Sequence, residues 1–402
     1  MALKKHPHAF GCTSALMNHL PPFFKPYFPQ FFGIIGTSEA ISMLKNFLYD
    51  ANPNVRLQAI LSILQNKRAD LLNDLKKKLN HASSAEKEAI LYSLGSFSDS
   101  SSIEKIKKYT NSNIENIKLA ACLALNDLGD KSFNEKIFKL ALKGNLFAIS
   151  SLAKIEKSTH ILLPLLQSKN MQIRINAALA LLRKKDSRSL KCLKEFFFED
   201  FLVLPKYSLG KVLTCFEVIK NHKNIKNSNN LFALKMNILK ETLELEENDF
   251  LSLAKEIFDL NKNEFIPTIC HLLLNLRSEK AIELLKIQTQ KIGAPFIRDY
   301  TNLTLYKITG ENFYKEYLEN WLKKNNTQKA VNLKEFEKDK IRFEKTQFEL
   351  SPFETSHLMI EIFSAFAEKH SIDGVMLLLD AMKKTHPLNK YPLAGLLLKA
   401  IE

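Results

Sequence analysis

Apolar residues recur along most of the chain at the spacing of a helix face. Ile41, Leu44, Phe47 and Leu48 share one face of a first helix. The polar turn Asp50-Ala51-Asn52-Pro53 follows, and a second helix resumes with Val55, Ala59, Ile60 and Ile63 as its buried positions. Pro53 and Asn54 are good helix-start residues. Farther on, Ala254, Ile257 and Phe258, then Ile269, Leu272, Leu273 and Leu276, keep the same period. Ser356 to Phe366, Gly374 to Met382 and Tyr391 to Ile401 read as three final helices. The pattern predicts an all-α chain made of helix–turn–helix units.

Within those units one motif repeats: a branched apolar residue, a basic residue, then alanine three positions on. It occurs as Val55-Arg56 with Ala59, Ile117-Lys118 with Ala121, and Ile173-Arg174 with Ala177, and more faintly as Ala85-Glu86 with Ala89. The steps from 55 to 85 and from 85 to 117 are 30 and 32 residues, and the step from 117 to 173 is 56, or two units of 28. The copy between them falls near Leu146 to Ser151. Leu94-Gly95 and Leu128-Gly129 read as helix stops, since glycine accepts the left-handed conformation that ends a helix. A fixed period of this size is the mark of a stacked repeat array.

The unit resembles the HEAT repeat in its short bacterial form, also called PBS-lyase-like, most clearly from about Gly33 to Phe196. Asn54-Val55-Arg56, Asn170-Met171-Gln172-Ile173-Arg174 and the Leu-Gly stops carry the likeness. It implies an α–α superhelix, a solenoid of stacked antiparallel helix pairs. It also implies a packing role for the ladder Arg56, Lys118, Arg174 and Arg298, whose basic groups pair with an acidic or amide group at the turn of an adjacent repeat. Residues 1–36, rich in proline and phenylalanine around Pro21 to Pro29, read as an N-terminal cap or degenerate repeat, because prolines there prevent a regular helix. Regular repeats are expected over 37–199 and degenerate helical repeats over 200–322, with a good copy at Ile297-Arg298 in which Thr301 replaces alanine. Within the latter span, Asn221 to Asn230 reads as a loop. A charged insertion is expected over 323–352 and closing helices over 353–402, with the terminal Leu396-Leu397-Leu398 helix docking inward.

Composition fits this reading. The chain holds 11 glycines among 402 residues, where average usage of about 7% would give roughly 28. A glycine-rich nucleotide fold is disfavoured. The net charge of +15 allows a nucleic-acid partner. Its source is mostly lysine, however, and arginine is the residue favoured for bidentate phosphate and base contacts. The five cysteines, Cys12, Cys122, Cys192, Cys215 and Cys270, form no C-x-x-C pair and read as buried thiols of a reducing compartment. No signal-peptide stretch and no run of about 18 apolar residues occurs, so a cytoplasmic protein without a membrane span is expected.

Candidate chemistry is sparse. The histidines are scattered, with His6 and His8 the one close pair, and neither H-E-x-x-H nor a His-Glu dipeptide occurs. The dinuclear-iron hydroxylases built on HEAT repeats carry such dipeptides at repeat spacing, so this chain departs from them. His160, His271 and His357 lie beside apolar runs and read as packed side chains. Phosphate-loop, dinucleotide and nucleophile-elbow motifs are absent. Cys270-His271 is adjacent in sequence, but neighbouring helix residues point about 100° apart, which does not make a nucleophile–base pair. Nothing marks the chromophore pocket of the bilin lyases that share the repeat. The helical DNA glycosylases offer one enzyme alternative, for which Asp299, Tyr300 and Trp321 would have to gather in a cleft. In the competing reading Asp299 pairs within its own turn. No catalytic residue, cofactor, metal or small-molecule substrate is therefore expected.

Binding remains. The second helix of each unit lines the concave face of such a stack. Its outward positions, three and seven after the branched residue, are Gln58 and Ser62, Glu88 and Tyr92, Ala120 and Ala124, Asn176 and Ala180, Tyr300 and Thr304. These are small, polar or aromatic. They predict a scaffold that binds a protein or peptide through Gln58, Glu88, Tyr92, Asn176 and Tyr300. A lysine-lined face would instead mean nucleic acid.

Overall fold

The structure is a computed structural model that describes residues 6, 8–198, 202–208, 213–219, 228–325, 352–384 and 387–401. Apart from one two-stranded hairpin, every regular element among the described residues is helical, and the chain is all-α in class. It divides into two compact units, Met1–Leu231 and Phe232–Glu402. None of the described helices is long and apolar enough to cross a membrane.

The first unit contains α1 (Ala9–His19), α2 (Phe28–Ile35), α3 (Ser38–Phe47), α4 (Pro53–Gln65), α5 (Leu72–Lys78), α6 (Ser84–Ser96), α7 (Ile103–Lys107), α8 (Glu115–Asp127), α9 (Asn134–Leu142), α10 (Leu146–Ser151), α11 (Thr159–Leu165), α12 (Met171–Arg183) and α13 (Leu190–Phe198). Pro22–Tyr27 form a 3-10 turn ahead of α2, as their prolines require. The even-numbered helices make one layer, in which α2 packs on α4, α4 on α6, α6 on α8, and α10 on α12. Odd-numbered helices lie behind them, with α9 packed against α8, α10 and α11.

The two layers bury their residues differently. In α3 a single stripe of Ala40, Leu44 and Phe47 is buried. In α4 the buried set runs without a break from Ala59 to Leu64, and α6 and α8 behave alike. A helix apolar around most of its girth has neighbours on most sides. Ala59, Ala121 and Ala177 are fully buried between them.

Asparagine starts these helices. Side chains of Asn52, Asn145 and Asn170 accept from Asn54, Ala148 and Gln172 backbone N–H groups at 2.9–3.0 Å. Ser83 and Glu86 form a reciprocal capping box on α6. Gly129 follows α8 at φ +90 and makes a left-handed stop. Gly95 does not. It sits inside α6, where an added Cβ would lie 2.5 Å from Ala124 Cα, so its role is close approach of α6 to α8.

A hairpin departs from the expectation of helical repeats after residue 200. Strands β1 (Leu202–Ser208) and β2 (Leu213–Ile219) pair antiparallel, with Pro205 opposite Phe216. The runs are rich in β-branched and aromatic residues, and Pro205 rules out a helix interior. Of the Asn221–Asn230 stretch expected to be a loop, residues 221–227 lie outside the described residues, and Ser228 already opens the next helix.

The second unit contains most of α14 (Ser228–Glu241), whose first four residues fall in the first unit, and α15 (Glu247–Asp259), α16 (Ile266–Leu276), α17 (Glu279–Thr289), α18 (Pro295–Thr309), α19 (Asn312–Lys324), α20 (Pro352–Glu368), α21 (Ile372–Lys384) and α22 (Pro387–Ile401). Here α16 packs on α18 and α18 on α20, while α15 packs on α17. Helices α20, α21 and α22 pack on one another. Gly310 ends α18 at φ +71. Residues 326–351 of the expected charged insertion lie outside the described residues.

Candidate functional site

Two of the motif's basic residues, Arg56 and Arg174, join their own turn to a carboxylate of a later helix. Arg56 donates from Nη1 to the carbonyls of Asp50 and Ala51 in its own turn, and from Nε to Glu86 of the next unit at 2.7 Å. Arg174 repeats the geometry on Ser168, Lys169 and Glu195. Glu86, only 2% exposed, also faces Lys78, so the acidic residue of the faint copy is the partner of the basic residue before it. Arg298 reaches Tyr317 Oη at 3.2 Å. Lys118 makes no such link among the described residues.

The outward positions divide by unit. In the first unit Gln58 is exposed, and half-buried Glu88 is pushed up to about 7 by burial, against an opposing bond from Asn116. Tyr92 is 5% exposed, with Lys154 Nζ donating to its hydroxyl at 3.0 Å. Ala120 and Ala124 are buried. Asn176 is fully buried beneath the hairpin: its Nδ2 donates to the Phe216 carbonyl at 2.7 Å and its Oδ1 accepts from the Phe216 N–H at 2.8 Å. Antiparallel residues alternate between bonded and non-bonded pairs, and Pro205 has no N–H to give. Opposite it, Phe216 turns both backbone groups away from β1, and one asparagine amide satisfies them.

In the second unit Tyr300 borders a partly open cleft of about 250 Å³. Four helices build its walls. Lys240 comes from α14, Thr268, His271 and Leu274 from α16, Tyr300, Thr304 and Lys307 from α18, and His357 and Glu361 from α20. Tyr300 Oη and His357 Nδ1 are hydrogen-bonded at 2.9 Å, and the two rings stack. Lys307 pairs with Glu361. Lys240, His271 and His357 are exposed on the rim. Cys270 lies at the base, bonded to Thr304, and burial pushes its thiol up to about 12, which keeps it protonated and unreactive at neutral pH.

Asp299 does not face this cleft. It is 4% exposed and accepts from Tyr317 Oη and from Trp321 Nε1, the latter at 2.9 Å. Burial raises its carboxyl above the ordinary range. Asp299, Tyr317 and Trp321 thus form a packed link between α18 and α19.

A second hollow, of about 330 Å³, lies in the first unit beside Arg174, Arg188 and Lys191. Its arginines are committed to Glu195 and Asp186. Among the described residues no group of three or more His, Cys, Asp or Glu is placed to hold a metal.

Tyr300 is an expected partner-binding position, whereas His271 and His357, expected as packed side chains, are exposed on the cleft. Lys307 was reachable, being two turns beyond Tyr300 on one helix face. Lys240 and Glu361 come from helices far away in sequence and carried no local signal.

No protein-family model matches the chain, and no curated protein matches it. Among solved structures, a crystal structure described as an engineered protein aligns over 100% of this chain and 99% of its own, at 12% identity and a TM-score of 0.26.

Proposed function

We propose that the chain is a non-enzymatic scaffold, a HEAT-like solenoid that binds a segment of a protein partner with the cleft around Tyr300 as its main seat. The observation that carries this is the cleft itself: about 250 Å³, partly open, walled by four helices, with Tyr300 buried in its wall and Lys240, His271 and His357 at its rim. Pockets for cofactors and drug-sized ligands run to about 300–1,000 Å³. A smaller, open cleft suits one side chain of a larger partner.

The distribution of lysines weighs against the nucleic-acid alternative. Lys76 to Lys78 fall on α5, Lys105 and Lys107 on α7, and Lys136 and Lys139 on α9, all in the layer behind the even-numbered helices. Several are already paired, as Lys76 with Asp99 and Lys107 with Glu104.

The test is selection of binders from a random peptide library on the intact chain, followed by affinity measurements with His271→Ala and by a salt titration against duplex DNA. Peptide binding that weakens in the variant is the expected result. Submicromolar DNA binding with steep salt dependence would overturn the proposal.

A further inference from the structure

Resting on the reading of the cleft as a partner's seat, we infer that it takes an anionic group, a carboxylate or phosphate borne on a partner's side chain. Four nitrogen-bearing side chains from four different helices converge there: Lys240, His271, Lys307 and His357. Glu361 is the one carboxylate on its walls, and it is held by Lys307 at 2.5 Å. Lys240 makes no ion pair among the described residues. An ammonium with no counter-charge beside a concave surface is a standing invitation to an anion.

His357 adds direction. Its Nδ1 is engaged by Tyr300 Oη at 2.9 Å, which leaves Nε2 as the ring nitrogen for a ligand. A ring held through one nitrogen is oriented at the other, which lowers the cost of ordering it on binding. The first unit offers a contrast. Around its own hollow, Arg174 and Arg188 carry the carboxylate partners Glu195 and Asp186, and its other bases, Lys169 and Lys191, stand on the hollow without a histidine beside them. The volume of the cleft admits one acidic head group with its stem and excludes a nucleotide-sized ligand.

The experiment is a titration of the intact chain with inorganic phosphate and, separately, acetate at constant ionic strength. It is followed by NMR of the histidine ring carbons, with His271 and His357 assigned from H271Q and H357Q. We expect those two resonances to shift saturably in the millimolar range with at least one anion while the remaining histidines stay put. Lys240→Gln should weaken the response by about fivefold, the worth of one exposed charge pair. Saturation by phosphate alone assigns a phosphorylated side chain, and equal saturation by both assigns any acidic side chain. Shifts that never saturate, that touch all histidines alike, or that survive K240Q unchanged overturn the inference. A selected peptide whose affinity depends on His271, with no anion response, defeats the anion site and leaves the partner-binding reading standing. An anion response with no peptide dependence does the reverse.

Discussion

Both units are built of packed helices, and the predicted outward positions differ between them in what lies beside them. In the first unit Tyr92 is closed by Lys154 and Asn176 by the backbone of Phe216, while Gln58 is exposed. In the second, Tyr300 is equally buried, at 4% exposure, but it borders a cleft whose rim carries Lys240, His271 and His357. Polar links in the first unit close on the chain itself, as Arg56 meets Glu86 thirty residues on, whereas the cleft of the second unit keeps Lys240 without an ion pair among the described residues.

Several substitutions sharpen the contrast. The largest effects belong to the internal links. Glu86→Ala strands Arg56 and the 7%-exposed Lys78 without their carboxylate, and urea unfolding should show a loss of about 3–4 kcal/mol. Asp299→Ala leaves the Tyr317 hydroxyl and the Trp321 indole N–H unpaired in the second unit, and the same measurement should show about 3 kcal/mol. Asp299→Asn keeps one acceptor and should cost about 1 kcal/mol.

Asn176→Ala removes both bonds to Phe216. We expect about 2 kcal/mol from that loss, together with faster labelling of Cys215, which is fully buried in the native chain. Unchanged labelling would mean that packing of β2 on α10 and α12 holds the hairpin without the amide.

Glu88 gives a smaller effect with a definite sign. Its carboxyl rises from an ordinary 4.5 to about 7 in the folded chain. The folded state therefore binds more protons than the unfolded state between those values. This contribution is full below pH 4.5, declines as pH rises, and is gone above 7. Glu88→Gln should flatten that slope and stabilise the chain at pH 8 by about 1–2 kcal/mol.

Much of the helical layout was legible in the sequence because it is local. Apolar spacing located α3, α12 and α18 to within a few residues, and the Asn52-Pro53 start located α4. The faint copy at Ala85-Glu86 was legible as a repeat but not as the acceptor of Arg56, since the charge reversal is explained only by the neighbouring unit. Gly95 read as a stop because glycine near a helix end has two physical roles, and only the distance to Ala124 distinguishes them. The hairpin was missed because the helical periodicity that resumes beyond it extends the expectation of degenerate helical repeats over all of 200–322, although Pro205 and the β-branched runs around it argue for strands. The cleft was half visible: Tyr300 has a repeat position, whereas Lys240 and Glu361 reach it only through tertiary packing.

The most direct test compares one exposed side chain from each unit. Affinity of a peptide selected on the intact chain is measured for His271→Ala at the cleft and for Gln58→Ala on α4, both exposed. The account predicts a loss of about tenfold or more for His271→Ala, within the range of an interface hot spot, and no change for Gln58→Ala. Equal affinity in His271→Ala with a loss in Gln58→Ala would contradict it.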